Sequence, residues 1–343
     1  MTRERLRARA GSVLFVLALA LLASAVISAG IGQVRIAPGD ILRALGQWPF
    51  GDAPTDAITS IIWFERLPRI ALALLAGGAL AVAGVVMQAL FHNPMADPYI
   101  VGVSSGAAVG AVLAISLNLP LALFGFSPIV TFAFLGALGV TALVYGMAHR
   151  PGRVPITTLL LTGIAVGSLL QAVTAFLLLS QSHVELRVAT SWLMGGLARG
   201  SWAEIGAVLP GTLAALALTL CWQRDLNALA LGDDTAHHLG IHLGRTRALL
   251  LLLASLLAAG AVAVSGIIAF VGLIVPHLMR LIVGPNHRRL LPAALLGGGL
   301  LLLWADVLAR TLLNGAELPI GIVTSILGAP FFLFLLHHRP KAS

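Results

Sequence analysis

The chain has 343 residues, 59% of them hydrophobic and only 10% charged, a balance that leaves too little polar surface to cover a soluble globule of that size. Its net charge of +8 is spread over many loops rather than gathered on one face, which argues against a nucleic-acid surface and for a role in orienting the chain in a membrane. The single cysteine, Cys221, excludes an intrachain disulfide and any cysteine-based zinc or iron–sulfur site.

A bilayer core about 30 Å thick takes roughly 20 apolar residues per helix, so the chain has room for about ten spans joined by short loops. Arg3, Arg5, Arg7 and Arg9 precede an uncharged run from Ala10 to Val34. The basic start and the small residues Ser28-Ala29-Gly30 also fit a cleaved signal peptide, but a signal core runs only about 7 to 15 residues. The segment therefore reads as a first membrane helix over 11–33, retained. Residues 35–60 hold Pro38, Gly39, Pro49, Gly51 and Pro54 and read as a loop with a short helix.

The second span is expected over 63–91, ending at the polar break His92-Asn93-Pro94. The third, over 99–117, carries Gly102, Gly106 and Gly110; small residues four apart let helix backbones approach closely in lipid. Further spans are expected over 121–148, 155–180 and 201–222. After a polar segment at 223–247 they continue over 247–264, 268–283, 290–313 and 319–337. The expected fold is thus an all-α integral membrane protein, one domain over 1–343 with about ten transmembrane helices in one bundle.

Charge gives this layout a direction. With the N-terminus inside, the cytoplasmic segments hold Arg3, Arg5, Arg7, Arg9, Arg150, Arg153, Arg224, Arg245, Arg247, Arg280, Arg288, Arg289, Arg339 and Lys341, which is 14 of the 21 Lys and Arg residues. The opposite side holds Arg35, Arg43, Arg66, Arg69, Arg187, Arg199 and Arg310. This excess follows the positive-inside rule and places both termini in the cytoplasm.

Four short patterns stand in order around the polar break: RLPR at Arg66 to Arg69, GVVMQ at Gly84 to Gln88, NPMADP at Asn93 to Pro98, and GVSSGA at Gly102 to Ala107. A second block holds GIIAFVGLIVPHLMR at Gly266 to Arg280, ADVLAR at Ala305 to Arg310 and ELPIGIVTSILGAP at Glu317 to Pro330. Together they resemble the FecCD family of ABC importer permeases, which carry iron-siderophores, haem and vitamin B12, over most of the chain after residue 60. The resemblance implies a homodimer in the bacterial inner membrane, in contact with lipid. It also implies two ABC ATPase subunits and a periplasmic substrate-binding protein as partners, with alternating access driven by ATP and Mg used on the ATPase. This chain is then no enzyme and holds no cofactor, catalytic residue or metal of its own.

The same resemblance assigns site residues. Arg66, Arg69 and Arg310 match the positions that receive acidic residues from the two lobes of the binding protein. As residues alone they also fit helix-end anchors at the headgroups, and Arg310 fits an i, i+4 pair with Asp306. The cytoplasmic segment Gln223 to Arg247 matches the family's coupling helix, with Leu229, Leu231, Gly232, Ala236, Leu239 and Gly240 as the expected ATPase-coupling residues. On its own it reads as a helical pair broken at Gly232, with Leu226, Leu229, Ala230, Ala236 and Leu239 along one side and Asp233 and Asp234 capping the second piece. Asn93 and Met95 at the break, with Thr157 and Thr158 in the following hairpin, match the family's gate. Asn93-Pro94 also fits an ordinary helix-ending turn.

His237, His238 and His242 fit a solvated loop better than a zinc site, which needs further ligands and an ordered second shell. His92, His183, Glu185 and Arg187 are polar groups near span boundaries, and His277 fits a packed, hydrogen-bonded histidine. No GxxxxGK[ST] phosphate loop occurs in the sequence, so the energy must come from another polypeptide or an ion gradient. An ion-coupled secondary transporter would use a membrane carboxylate, and Asp306 sits near the end of its span with Arg310 beside it. An intramembrane enzyme would need a nucleophile and base or a metal constellation at membrane depth, and His277 has no carboxylate partner in its helix. The favoured cargo is a haem or ferric-siderophore chelate, with cobalamin as the alternative.

Overall fold

The structure, a computed structural model, describes residues 3–32, 34–47, 56–118, 126–149, 155–313 and 316–337. Outside that set fall Pro49, Gly51 and Pro54 of the first loop, the start of the fourth expected span, and Arg150, Arg153, Arg339 and Lys341 of the charge tally.

The described residues form helices joined by turns and loops, with no β-strand among them. In chain order they form α1 (Arg3–Gly30), α2 (Pro38–Gln47) and α3 (Ala57–Ile61), which passes through a π-helical turn (Ile62–Arg66) into α4 (Leu67–Leu90). After the polar break a 3₁₀ turn (Pro98–Val101) leads to α5 (Val103–Ser116), then α6 (Pro128–Ala148), α7 (Ile156–Leu179), α8 (His183–Leu193) and α9 (Trp202–Cys221). Two short helices, α10 (Gln223–Leu229) and α11 (Asp233–His238), precede α12 (Leu243–Ser265), α13 (Val271–Val283), α14 (His287–Thr311) and α15 (Ile320–His337). Seven of these segments are long and apolar enough to cross a membrane, and α5, α13 and α15 are shorter apolar helices.

The bundle is built around α4, which packs against α14, α12, α13 and α9. Its run of small residues makes this possible, because helices associate in lipid by close van der Waals packing rather than by a hydrophobic effect. Gly77 lies against the backbone of Gly298 in α14, and Gly84 against the carbonyl of Gly272 in α13, so tightly that a β-carbon at either glycine has no room. Helices α4, α12 and α14 are mostly buried, while α1, α6, α7 and α9 turn most of their surface outward.

Gly106 and Gly110 of α5 meet the backbone of Gly136 and Phe132 in α6. Gly102 serves a different purpose: with φ of +87° it joins the 3₁₀ turn to α5 in a left-handed conformation that suits glycine.

The expected span over 268–283 differs from what is observed. Helix α13 starts only at Val271, and the residues before it form a non-helical connection with positive φ at Gly266 and Phe270. Such backbone is tolerated inside a membrane bundle only when protein groups satisfy it. Here Gly196 N–H donates to the Ser265 carbonyl at 2.8 Å, and Tyr99 OH donates to the Ile268 carbonyl at 2.9 Å. Nearby, the N–H groups of Ile320 and Gly321 donate to the Gly195 and Met194 carbonyls at 3.0 and 3.1 Å. Four chain breaks therefore meet and satisfy one another.

Candidate functional site: an arginine cluster and a short helical pair at opposite ends of one helix pair

Arg66 leaves the π-helical turn, Arg69 lies in the first turn of α4 and Arg310 in the last turn of α14. The fold brings all three to one end of the bundle and holds them with named partners. Arg69 Nε donates to Asp306 Oδ1 at 2.7 Å and its Nη1 pairs with Glu317 at 3.0 Å. Arg310 Nε faces the other Asp306 oxygen at 3.2 Å, across the i, i+4 spacing legible in the sequence. Arg310 also donates to the Ile31 carbonyl at 2.7 Å and to Ser28 Oγ at 2.6 Å. Arg66 donates to the same Ile31 carbonyl at 2.5 Å and to Val34 at 3.3 Å.

These bonds have a structural consequence. Arg310 donates to the Ser28 carbonyl in the last turn of α1 at 3.1 Å, two guanidinium groups share the Ile31 carbonyl just past that helix, and one carboxylate, Asp306, bridges two arginines. Arg66 and Arg310 are 8% and 5% exposed, and Asp306 is buried. Arg69 with Glu317, whose side chain is 32% exposed, forms the open edge of the cluster. Glu317 received no role from the sequence, although an arginine set near a membrane boundary implies carboxylates to match it.

At the opposite end of α4 and α14 sits the segment Gln223–His238. Leu226, Leu229 and Ala236 are completely buried against the bundle. Leu231 and Leu239 project outward, 68% and 63% exposed, and Gly232 (φ +104°) and Gly240 (φ +83°) make the turns after α10 and α11. The expected single apolar side therefore divides: Ala230 and Leu239 face away from Leu226, Leu229 and Ala236. The positive φ at Gly232 rotates α11 relative to α10, so one helical period does not run through both pieces. Asp233 and Asp234 occupy the first turn of α11, where acidic groups favour the helix dipole. Neither bonds its backbone as a cap, and Asp233 instead pairs with Arg247 of α12 at 2.5 Å.

The gate positions lie beside this segment. Asn93 is exposed and its Oδ1 accepts the Met95 N–H at 3.0 Å, closing the turn after α4. Thr157 is exposed and Thr158 half-buried in the first turn of α7. Phe91 and Ile156 line one small apolar pocket, so the break and the start of α7 are neighbours. Asp97 caps the 3₁₀ turn by accepting the Tyr99 N–H at 2.8 Å, and burial pushes its carboxyl up to about 6 against the lowering effect of that bond.

Gln88 of the GVVMQ pattern has a clear task. It donates to the Leu273 carbonyl at 3.3 Å and accepts from Arg280 at 2.9 Å, joining α4 to α13. Among the described residues no group of three His, Cys, Asp or Glu is arranged to hold a metal. Glu185 closes a capping box with Ser182 at the start of α8, and His183 is the first residue of that helix.

The profile of the FecCD transport family matches residues 19–338. The chain belongs to the FecCD transport family. A cobalamin import system permease, BtuC of Halobacterium salinarum, is 49% identical over 279 residues, covering 81% of this chain and 74% of that protein. A hemin transport system permease, HmuU of Yersinia pestis, is 45% identical over 278 residues, covering 80% and 83%. A solved structure described as an inward-facing ABC transporter of metal-chelate type superposes with a TM-score of 0.82 at 35% identity, covering 96% of this chain and all of that one. PsaBC from Streptococcus pneumoniae, at 17% identity and a TM-score of 0.53, shares the fold alone. This FecCD protein is a transmembrane ABC transporter permease. The ATPase in its family is a separate subunit, which accords with the absence of a phosphate loop from the sequence.

Proposed function

We propose that this FecCD permease moves a metal chelate, haem or a ferric siderophore, from periplasm to cytoplasm by alternating access in the bacterial inner membrane. It works as a homodimer with two ABC ATPase subunits and a periplasmic binding protein, and both termini are cytoplasmic. The observation that carries this reading is that one glycine-packed helix pair, α4 and α14, ends in an arginine cluster on one side and a segment with two exposed leucines on the other. The arginines receive acidic residues of the binding protein, with Arg69 at the open edge exchanging Glu317 for a partner carboxylate. Exposed ion pairs contribute only about 0 to 1 kcal/mol each, so the docking charges act mainly on orientation and encounter rate.

At the other end Leu231 and Leu239 enter a groove of the ATPase, while Leu229 and Ala236 hold the segment to the permease. ATP and Mg act on the ATPase alone. Asn93, Met95, Thr157 and Thr158 narrow the pathway where the break and α7 adjoin. Cobalamin is the second reading, supported by the Halobacterium relative. The test is uptake into cells carrying the chain with its ATPase and binding protein, offered labelled haem, ferric siderophore and cobalamin in competition. Preferential uptake of an iron chelate supports the first reading, preferential uptake of cobalamin the second, and uptake without the ATPase overturns both.

A further inference from the structure

Helix α4 ends in a turn that its sequence makes costly. Phe91 closes the helix, and the N–H groups of His92 and Asn93 reach back to the carbonyls of Ala89 at 3.4 Å and Gln88 at 3.2 Å, the paired bonds of a Schellman cap. Such a cap needs a left-handed residue just past the helix, usually glycine or asparagine. Here that residue is His92, with φ of +47°, where a β-carbon crowds the following carbonyl. Asparagine stands one position later. Strain of this kind, kept where a cheaper residue would serve, points to a task for the side chain.

The imidazole has one. Its Nε2 donates to the carbonyl of Leu229 at 2.6 Å, and Leu229 is the last residue of α10. Two residues earlier α10 is held from the other side. Asn227 Oδ1 accepts both the ring Nδ1–H and the backbone N–H of His287 at 2.9 Å, and its Nδ2 donates to Asn286 Oδ1 at 3.4 Å. His287 is the first residue of α14 and is 3% exposed, so its ring is fixed. Leu226 and Leu229 fill the space between these grips. The short helix is therefore clasped between the end of α4 and the start of α14, the two helices that meet at Gly77 and Gly298.

We propose that His92 and the Asn227–His287 pair form the joint that passes displacement of the coupling segment to α4 and α14, with His92 as its positioning residue. The inference rests on the coupling role given above to Gln223–Arg247. A helix stop alone does not require histidine, since glycine at position 92 would end α4 without crowding. The salt bridge of Arg247 to Asp233 ties the same segment to α12, but its carboxylate is partly open to water and yields more readily.

The test uses the full complex in proteoliposomes: permease, ATPase subunits and binding protein, with labelled haem, labelled ferric siderophore and labelled cobalamin as probes. Uptake and phosphate release are measured on the same vesicles, and thermal unfolding on the same preparations. His92→Gly is expected to unfold at or above the wild-type temperature, because the backbone strain is relieved. Its uptake per ATP hydrolysed is expected to fall by about tenfold, within the range of ordinary coupling free energies. His92→Gln, which keeps a side-chain donor, is expected to recover part of that ratio. Wild-type uptake per ATP in His92→Gly overturns the joint. So does a loss of uptake that tracks a lower unfolding temperature, which makes the His92–Leu229 bond a contribution to folding only. Wild-type vesicles without ATP-dependent uptake overturn the coupling reading itself, whatever the variants do.

Discussion

The two ends of the α4–α14 pair are built from opposite materials. At the arginine end, five charged side chains and the carbonyls of α1 form a network in which Asp306 bridges Arg69 and Arg310 and two arginines share one carbonyl. At the other end a seven-residue helix is held by neutral hydrogen bonds from His92 and His287 and by two buried leucines. The first resists change, because any element leaving it abandons a buried charge. The second can shift as a unit while its few bonds travel with it. The function proposed above, with one partner on a rigid platform and another on a moving lever, needs this asymmetry. The pair of helices between them, each about 35 Å long at 1.5 Å per residue, is the rod.

The comparison can be broken most forcefully at Asp306. Asp306→Ala leaves Arg69 with Glu317 as its carboxylate and the buried Arg310 with only the neutral oxygens of Ser28 and Ile31, and loss of a buried partner costs about 3 to 5 kcal/mol, so the unfolding temperature of the purified permease should drop sharply. An unchanged unfolding temperature would show that the cluster is not structural. Next comes the rod: Gly77→Val drives side-chain atoms into the Gly298 backbone, an overpacking that costs about 1 to 3 kcal/mol. Both binding-protein affinity and uptake per ATP should fall together in this variant, and a defect in only one of them would mean that the ends do not share the rod.

A pH scan sharpens the contrast near the break. Because the Asp97 carboxyl is raised from 3.8 to about 6 in the folded chain, the folded state holds its proton longer than the unfolded chain does. Stability should therefore fall as pH rises between those two values and then level off. Asp97→Asn should flatten that slope, measured by unfolding at a series of pH values, and a slope kept in the variant would assign it to another group. The smallest effect is expected from Arg247→Gln, which removes a pair with a partly open carboxylate and should cost about 0 to 1 kcal/mol. A loss as large as that of Asp306→Ala would erase the difference between the two ends.

Hydropathy alone made the helical membrane class legible, and local spacing made the Asp306–Arg310 pair legible, since both are short-range properties of the chain. Arg69 with Asp306 was not, because 237 residues separate them and only the packing of α4 on α14 brings them together. The stretch Ile268 to Phe270 reads as the start of a helix because it is apolar, yet with Gly266 and Ile267 it forms a non-helical connection. Its backbone is satisfied by Tyr99 and the Gly195–Gly196 turn, partners a hydropathy pattern does not record. The segment Gln223 to Arg247 was singled out by its wording, but its facing was misjudged at Leu239, because a left-handed Gly232 resets the helical phase. His92 carried no sequence signal beyond lying at a span boundary, and its meaning comes from a backbone angle and one bond.

The most direct test of the rod is a double-mutant cycle between its ends, reading binding-protein-stimulated ATP hydrolysis in the reconstituted complex for wild type, Arg69→Gln, His92→Gly and the double variant. Substitutions at such a distance normally add independently. If α4 and α14 carry one signal from the arginine cluster to the joint, either single variant already interrupts it, and the double variant should lose no more stimulation than the worse single. Losses that multiply across the cycle would show two independent ends and contradict the account.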